Sequence, residues 1–304
     1  MALHINTPLI ESRYLSARTK RSIWLKLDAL QPSGSFKLRG VGHACEIHHE
    51  RGAQGFVTSS GGNAGLAVAY AGRRLGIPVT VVVPKTTTDR AKELLAIEGA
   101  DVIVHGGSWQ EANELAMSLT SPSDAFIHPF DDPLLWTGHA SLIDEVSQAG
   151  FKPDVVVLSV GGGGLLCGVI EGLQRNGWQD VPVIAVETEG AASFHAAAKA
   201  GHSVEIERID SIATSLGARR VCNQAVEYLK VHRIESVLVT DQNALNACED
   251  FLLDHRVLVE PACGAALSLA YSPLSFEEYE NVLIVVCGGA TATLAQIQQW
   301  SSEK

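Results

Sequence analysis

The feature that most constrains the fold is a repeated alternation of short, β-branched apolar runs with segments of helical character. The apolar runs that we predict as strands are residues 23–27, 55–58, 79–83, 102–104, 125–127, 155–160, 183–186, 236–239 and 282–286. Helices are predicted between them, for example at residues 38–50, 64–75, 90–98, 110–119 and 244–253. Strands that alternate with helices form βαβ units and parallel sheets, so the chain is predicted to be an α/β protein.

The strand runs also predict where a ligand binds. Runs such as VVVLSV (155–160) and VLIVVC (282–287) are apolar throughout, as in a sheet that helices cover on both faces. In open α/β sheets, ligands bind beyond the carboxyl ends of the strands. Residues that bind a ligand are therefore expected in the turns that directly follow these runs.

Composition limits the class of protein. The chain has 304 residues, of which 46% are hydrophobic, and this length predicts about two domains. The formal net charge of −11 argues against nucleic-acid and anionic-membrane partners. No apolar run is long enough to span a bilayer, and the N-terminal residues lack a signal-peptide pattern. The six cysteines form no CxxC pair and are expected to be buried, reduced thiols. We therefore expect a soluble, cytoplasmic protein.

Lys37 is the candidate catalytic residue. It lies between Phe36 and Leu38 in the segment QPSGSFKLRG (31–40), which follows the first predicted strand. A partly buried lysine loses its proton more readily and becomes a nucleophile suited to Schiff-base chemistry. A lysine that snorkels at the start of a helix would give the same pattern.

The first of three candidate anion sites is the turn SSGGN (59–63), between a strand and a helix. Gly61 and Gly62 let the backbone approach a ligand, and free N–H groups at a helix start favour an anion. Ser60 and Asn63 add a hydroxyl and an amide. The alternative is an ordinary helix cap with a tight turn.

The second candidate site is a run of four glycines, directly after VVVLSV; its members are Gly161, Gly162, Gly163 and Gly164. A nest of backbone N–H groups around a phosphate would explain their conformational cost. The run is neither the dinucleotide motif GxGxxG, which disfavours a hydride-transfer enzyme, nor a Walker A motif. A close contact between helix and sheet is the alternative.

The third candidate site and one further turn also follow predicted strands. Cys287, Gly288 and Gly289 end the last strand, where Cys287 is either a neutral partner for a ring atom or a buried filler. The run HPFDDP (128–133) contains Phe130 and could close over a substrate, or could be a surface loop. His139 and His195 have no partners at metal-ligand spacing, and no GxSxG motif occurs.

A reactive lysine with several anion sites suits a phosphorylated aldehyde cofactor and an amino-acid carboxylate. The sequence resembles the catabolic L-serine/L-threonine dehydratases (ammonia-lyases), of the tryptophan-synthase-β-like (fold type II) class of pyridoxal-phosphate enzymes. The motifs that carry the resemblance are QPSGSFKLRG, SSGGNAG, PFDDPLLWTGHAS, LSVGGGGLLCGV, VPVIAVETEGAASFHAA, VVCGGA and the segment 257–267.

The resemblance implies a role for each matching residue. Lys37 would carry pyridoxal 5′-phosphate in a Schiff-base linkage and then act as general base and acid. The other residues that it implies as cofactor contacts are Phe36, Asn63, Gly161, Gly162, Gly163, Gly164, Cys287 and Gly288. Ser60, Gly61, Gly62, Asn63 and Phe130 are implied as substrate contacts. Within these sets, Asn63 would also lie near the ring hydroxyl of the cofactor, and Cys287 would face its pyridine nitrogen.

The resemblance also implies a monovalent cation, usually potassium, near the glycine run. The matching positions are Glu187, Ala191, Ser193, Leu216 and Ala218. It further implies a homodimer, and a small domain (38–132) inserted into a large one (1–37 plus 133–304), each built on an open, twisted, mostly parallel sheet. Some relatives carry alanine in place of Gly61, so we expect the missing methyl to enlarge the site beside the substrate.

The implied reaction is β-elimination. L-Serine would give pyruvate and ammonia, and L-threonine would give 2-oxobutanoate and ammonia. Three alternatives stay open: a serine racemase, a β-replacing pyridoxal-phosphate synthase of the same fold, and a non-catalytic amino-acid-binding protein.

Overall fold

The computed structural model describes residues 2–272 and 276–302, and it contains two β-sheets with helices on their faces. The strands are β1 (Leu9–Glu11), β2 (Ser22–Lys26), β3 (Gly55–Thr58), β4 (Val79–Val83), β5 (Asp101–Val104), β6 (Asp124–Phe126), β7 (Val155–Ser159), β8 (Val183–Thr188), β9 (Ile234–Val239) and β10 (Asn281–Val285).

Helices connect most of these strands. The α-helices are α1 (Arg13–Thr19), α2 (Lys37–Glu50), α3 (Asn63–Leu75), α4 (Asp89–Ile97), α5 (Trp109–Leu119), α6 (Pro133–Gln148), α7 (Gly164–Arg175), α8 (Ser193–Ala200), α9 (Asn223–Tyr228), α10 (Asp241–His255), α11 (Pro261–Tyr271) and α12 (Leu294–Ser302). Three 3₁₀ helices lie at Asp28–Leu30, Glu189–Ala191 and Thr214–Leu216. Within the described residues, no helix is both long enough and apolar enough to cross a membrane.

The larger sheet has the strand order β1-β2-β10-β7-β8-β9, and the smaller one has the order β5-β4-β3-β6. Every pairing is parallel except that of β1 with β2, which is antiparallel. The central strands β3, β7 and β10 are almost wholly buried, because helices cover both faces. This arrangement confirms the predicted fold class.

Each predicted strand is present, with ends that move by one or two residues. Strand β1 was not predicted, because its three residues (LIE) are largely exposed and show too little apolar pattern. The division into an inserted domain (38–132) and a remainder stays a prediction. The smaller sheet lies within the first range, and every strand of the larger sheet lies outside it.

Helix α2 is anchored by a buried ionic cluster. The Arg39 guanidinium donates to both carboxylate oxygens of Asp28, at 2.7 and 2.9 Å, and to Glu145 of α6 at 2.7 Å. Arg39 and Asp28 are fully buried, and the neighbouring carboxylates raise the pKa of Arg39 further against the opposing effect of its burial. Paired burial of this kind fixes the position of the helix that begins at Lys37.

Candidate active site

Lys37 is the first residue of α2, and the segment before it is bound to the turn that follows β10. The Phe36 N–H donates to the Cys287 carbonyl at 3.0 Å, and the Gly289 N–H donates to the Gly34 carbonyl at 2.9 Å. A backbone bridge also joins Ser35 to Gly288. These bonds place Lys37 at the carboxyl end of the larger sheet.

The side chain of Lys37 has few partners. Its Nζ donates to the Pro129 carbonyl at 2.6 Å. Burial lowers the pKa of Lys37 to about 8, although the nearby Cys287 and Glu260 act in the opposite direction. An amine with this pKa is partly neutral near neutral pH, so it can act as a nucleophile and as a base.

Phe36 and His139 support the start of α2. Their ring centroids are 4.9 Å apart, and the backbone N–H of Gly40 donates to Nδ1 of His139 at 3.2 Å. His139 is fully buried, which lowers its pKa well below the usual value. A neutral His139 therefore packs against the start of α2. This agrees with the sequence, which gives His139 no partner at metal-ligand spacing.

The turn SSGGN follows β3, and Asn63 is the first residue of α3. Ser60, Gly61 and Gly62 are partly exposed at this helix start, where the Gly62 N–H donates to Ser60 Oγ at 3.4 Å. A Cβ on Gly61 would lie 2.8 Å from Thr87 Cγ2 and 3.0 Å from Val83 Cγ1. The expectation of a larger site at Gly61 is therefore wrong, because Thr87 and Val83 fill that space.

The four glycines form the turn between β7 and α7. Gly163 has a φ of +91°, a backbone conformation that favours glycine, and Gly164 begins the helix. A Cβ on Gly162 would collide with the ring of Phe130, and a Cβ on Gly161 would lie 3.0 Å from the Leu216 Cα. Close packing thus accounts for part of the glycine requirement, and the helix start gives the turn an anion-binding geometry.

Cys287 lies in the turn after β10, opposite Lys37. It is buried, and a hydrogen bond with Cys263 together with burial raises the pKa of its thiol well above the usual value. A neutral thiol at this position fits the neutral ring partner that the sequence suggests. All six cysteines are buried and free of disulfide bonds, which confirms that prediction.

Glu187, one of the residues expected at the cation site, follows Val186, whose carbonyl accepts the N–H of Val160 just before the glycine turn. Both oxygens of the buried Glu187 carboxylate accept backbone N–H groups, from Phe194 at 2.8 Å and from His195 at 2.7 Å. Burial raises the pKa of Glu187 to about 8. The hydroxyl of Ser193 is buried and has no partner among the described residues. Ala191 is buried nearby, at the end of a 3₁₀ helix.

Leu216 and Ala218, which are also expected at the cation site, lie in a separate segment that approaches the glycine turn at Gly161. The Ala218 N–H donates to the Leu216 carbonyl at 2.8 Å. No cluster of three His, Cys, Asp or Glu side chains suited to a metal occurs in the described part of the chain. A cation here would depend on Glu187, on Ser193 and on backbone oxygens, and such hard oxygens suit an alkali-metal ion.

Sequence reasoning missed Glu260. Its carboxylate is buried, and its Oε1 accepts a hydrogen bond from Asn63 Nδ2 at 2.7 Å. Oε2 accepts from Thr291 Oγ1 at 3.2 Å. The sequence held one signal for this role: Glu260 is a single charge within the apolar run VLVEPACGAA (257–266).

Pyridoxal 5′-phosphate fits the residues that are present. Lys37 supplies a partly buried amine of lowered pKa, and the glycine turn at the start of α7 would supply backbone N–H groups for a phosphate. Phe36 provides an apolar ring beside Lys37, and Cys287 a neutral thiol. An α/β chain with this lysine among three strand-end turns has residues that could hold such a cofactor through a Schiff base to lysine.

Comparison with known proteins gives the same class. A family model described as "Pyridoxal-phosphate dependent enzyme" matches residues 1–288. The chain is 48% identical to the mouse (Mus musculus) L-serine dehydratase/L-threonine deaminase, over 98% of this chain and 94% of the relative. It is 49% identical to the human (Homo sapiens) protein of the same name, over 97% and 94%.

A solved structure is also similar. The fungal L-serine ammonia-lyase from Rhizomucor miehei superimposes with a TM-score of 0.94 at 36% identity, covering 100% of this chain and 99% of that one. The chain belongs to the family of pyridoxal-phosphate-dependent enzymes.

Proposed function

We propose that this protein is an L-serine/L-threonine ammonia-lyase (dehydratase), which converts L-serine to pyruvate and ammonia and L-threonine to 2-oxobutanoate and ammonia. The observation that carries the proposal is Lys37, a partly buried amine with a pKa of about 8 among three strand-end turns. The names of the relatives at 48% and 49% identity support the choice of substrate.

Each turn has a proposed task. Gly161, Gly162, Gly163 and Gly164 bind the cofactor phosphate at the start of α7, where free N–H groups favour an anion. Ser60, Gly61 and Gly62 bind the substrate carboxylate at the start of α3 in the same way. Phe130 contacts the substrate, and Asn63 and Gly288 contact the cofactor.

Lys37 moves the protons. When bound, pyridoxal phosphate supplies an electron sink for charge that develops at the substrate Cα. With a pKa of about 8, the amine of Lys37 can take the Cα proton near neutral pH and return a proton later. Departure of the β-hydroxyl also consumes a proton.

Cys287 is proposed to face the pyridine nitrogen as a neutral thiol. A thiol cannot protonate this nitrogen as a carboxylic acid would, so the electron sink is weaker and negative charge at Cα is short-lived. This favours prompt loss of the hydroxyl over racemisation. Cys287→Glu is expected to raise the ratio of racemisation to elimination, and an unchanged ratio would count against this role.

We further propose a monovalent cation, usually potassium, at Glu187, Ala191, Ser193, Leu216 and Ala218. The buried carboxylate and the unpartnered Ser193 hydroxyl support it. The measurement is the thermal midpoint in potassium compared with lithium. Potassium is expected to stabilise the wild type but not Glu187→Gln, and equal midpoints in both salts would contradict the site.

The remaining proposals concern assembly and location. The resemblance to the dehydratase family supports a homodimer, which sedimentation would test. The free, buried cysteines suit a reducing compartment and support a cytoplasmic location, which cell fractionation would test.

The function is tested by release of keto acid from L-serine and L-threonine by the cofactor-loaded protein in potassium buffer. Wild type is expected to produce keto acid, and Lys37→Ala is expected to produce none. If no keto acid forms although serine changes the absorbance of the bound cofactor, the chain would instead be a racemase, a β-replacing enzyme or a binding protein.

A further inference from the structure

Glu260 is a buried carboxylate that has no task in the proposed reaction. It immediately precedes α11, and only 4% of its surface is exposed. Its partners come from separate parts of the chain: Asn63 at the start of α3, Ser215 beside the glycine turn, and Thr291 after β10. A buried carboxylate is costly unless it is hydrogen-bonded or paired, so these partners are needed to keep Glu260 in place.

Burial raises the pKa of Glu260, whereas the hydrogen bonds that its carboxyl group accepts act in the opposite direction. Asn63 Nδ2 donates to Oε1 at 2.7 Å, and Thr291 Oγ1 donates to Oε2 at 3.2 Å. Both oxygens therefore accept.

These contacts fix the orientation of the Asn63 amide. Its Oδ1 accepts the backbone N–H of Ala290 at 3.0 Å, while its Nδ2 donates to Glu260. A flipped amide would place its oxygen against the carboxylate and its NH₂ against an N–H donor. The second N–H of Nδ2 reaches only Ser215 Oγ, at 3.3 Å, and so remains available for a better acceptor.

Gly289 leaves space for the carboxyl group of Glu260 beside Asn63. Gly289 has a φ of +131°, and a Cβ there would collide with the carboxyl carbon of Glu260. Any larger residue at position 289 would therefore displace the carboxylate from Asn63. The last glycine of the turn VVCGGA thus serves Glu260 and need not itself contact a ligand.

We propose that Glu260 is a positioning residue that holds the Asn63 amide so that its second N–H can donate to the ring hydroxyl of bound pyridoxal phosphate. The inference rests on the proposed function, since it requires that the chain bind this cofactor. It assigns to a buried residue an effect on cofactor binding that is transmitted through Asn63.

The experiment measures the apparent affinity of the cofactor-free protein for pyridoxal phosphate by absorbance titration. Glu260→Ala is expected to weaken binding about ten- to a hundredfold, because Asn63 loses the acceptor that orients it. Glu260→Gln keeps an oxygen that can face Asn63, so its affinity is expected within about fivefold of wild type. Glu235→Ala, which removes an exposed carboxylate, is the matched control and should bind as wild type does.

A double-mutant cycle tests whether Glu260 acts through Asn63. If it does, Glu260→Ala combined with Asn63→Ala binds no more weakly than Asn63→Ala alone. Losses that multiply would overturn the proposal, as would a Gln variant as weak as the Ala variant. Thermal midpoints of the cofactor-free variants show whether each one folds. A wild-type chain that binds no pyridoxal phosphate would instead refute the proposed function.

Discussion

Lys37 is expected to destabilise the cofactor-free protein in a pH-dependent way, which Lys37→Met would relieve. Burial lowers the pKa of Lys37 from 10.5 to about 8. This difference corresponds to roughly 3 kcal/mol, the cost of keeping a protonated Lys37 in the folded chain. The unfolded chain binds more protons between the two values, so wild-type stability gains from Lys37 as pH rises through that range.

Two opposing contributions set the change in the free energy of unfolding that is expected for Lys37→Met. Near pH 7, Lys37→Met removes the charge cost of roughly 3 kcal/mol. It also removes the hydrogen bond to the Pro129 carbonyl, a loss of about 1 kcal/mol that does not depend on pH. The variant is therefore expected to be about 2 kcal/mol more stable near pH 7, and most of this advantage should vanish by about pH 9.5.

The assay is urea denaturation of the cofactor-free wild type and variant at several pH values. Only the difference between the two proteins matters, because groups that titrate equally in both cancel. Lys152→Met, which removes a surface ammonium paired with Asp180, serves as the control and should show no such trend. A stability difference between wild type and Lys37→Met that stays constant with pH would show that the pKa of Lys37 is not lowered in the folded chain.

Two further predictions concern packing. Gly61→Ala is expected to cost about 1 kcal/mol, because the new methyl would lie 2.8 Å from Thr87 Cγ2, and Gly61→Ala with Thr87→Ser should recover most of that loss in urea denaturation. Equal stability of Gly61→Ala and wild type would show that the loop relaxes freely. Arg39→Met is expected to cost about 3–5 kcal/mol, since it leaves Asp28 buried without its partner, and a loss below about 1 kcal/mol would contradict this account.

Much of the fold follows from local pattern. The central strands are apolar runs bounded by small residues, so their positions could be predicted from the sequence within one or two residues. Because parallel strands end at one edge of a sheet, the turns at Ser60, Gly162 and Cys287 could be placed at the strand ends as well. The pattern failed for β1, which is short and exposed.

The contacts across the site could not be predicted in the same way. Glu260 binds Asn63, which lies 197 residues earlier in the chain, and no local pattern encodes that pairing. The surroundings of Gly61 depend on Thr87, in the loop after β4, so the sequence could not show that this space is filled. Such contacts arise only when separate strand ends are brought together.

The most direct test of Lys37 as the residue that carries pyridoxal phosphate is chemical trapping of the bound cofactor. The cofactor-loaded protein is treated with borohydride, digested and analysed by peptide mass spectrometry. A reduced cofactor adduct is expected on the peptide that contains Lys37, and no adduct is expected in Lys37→Ala. An adduct on a different lysine, or none on the wild type, would contradict the assignment of Lys37 as the residue that carries pyridoxal phosphate.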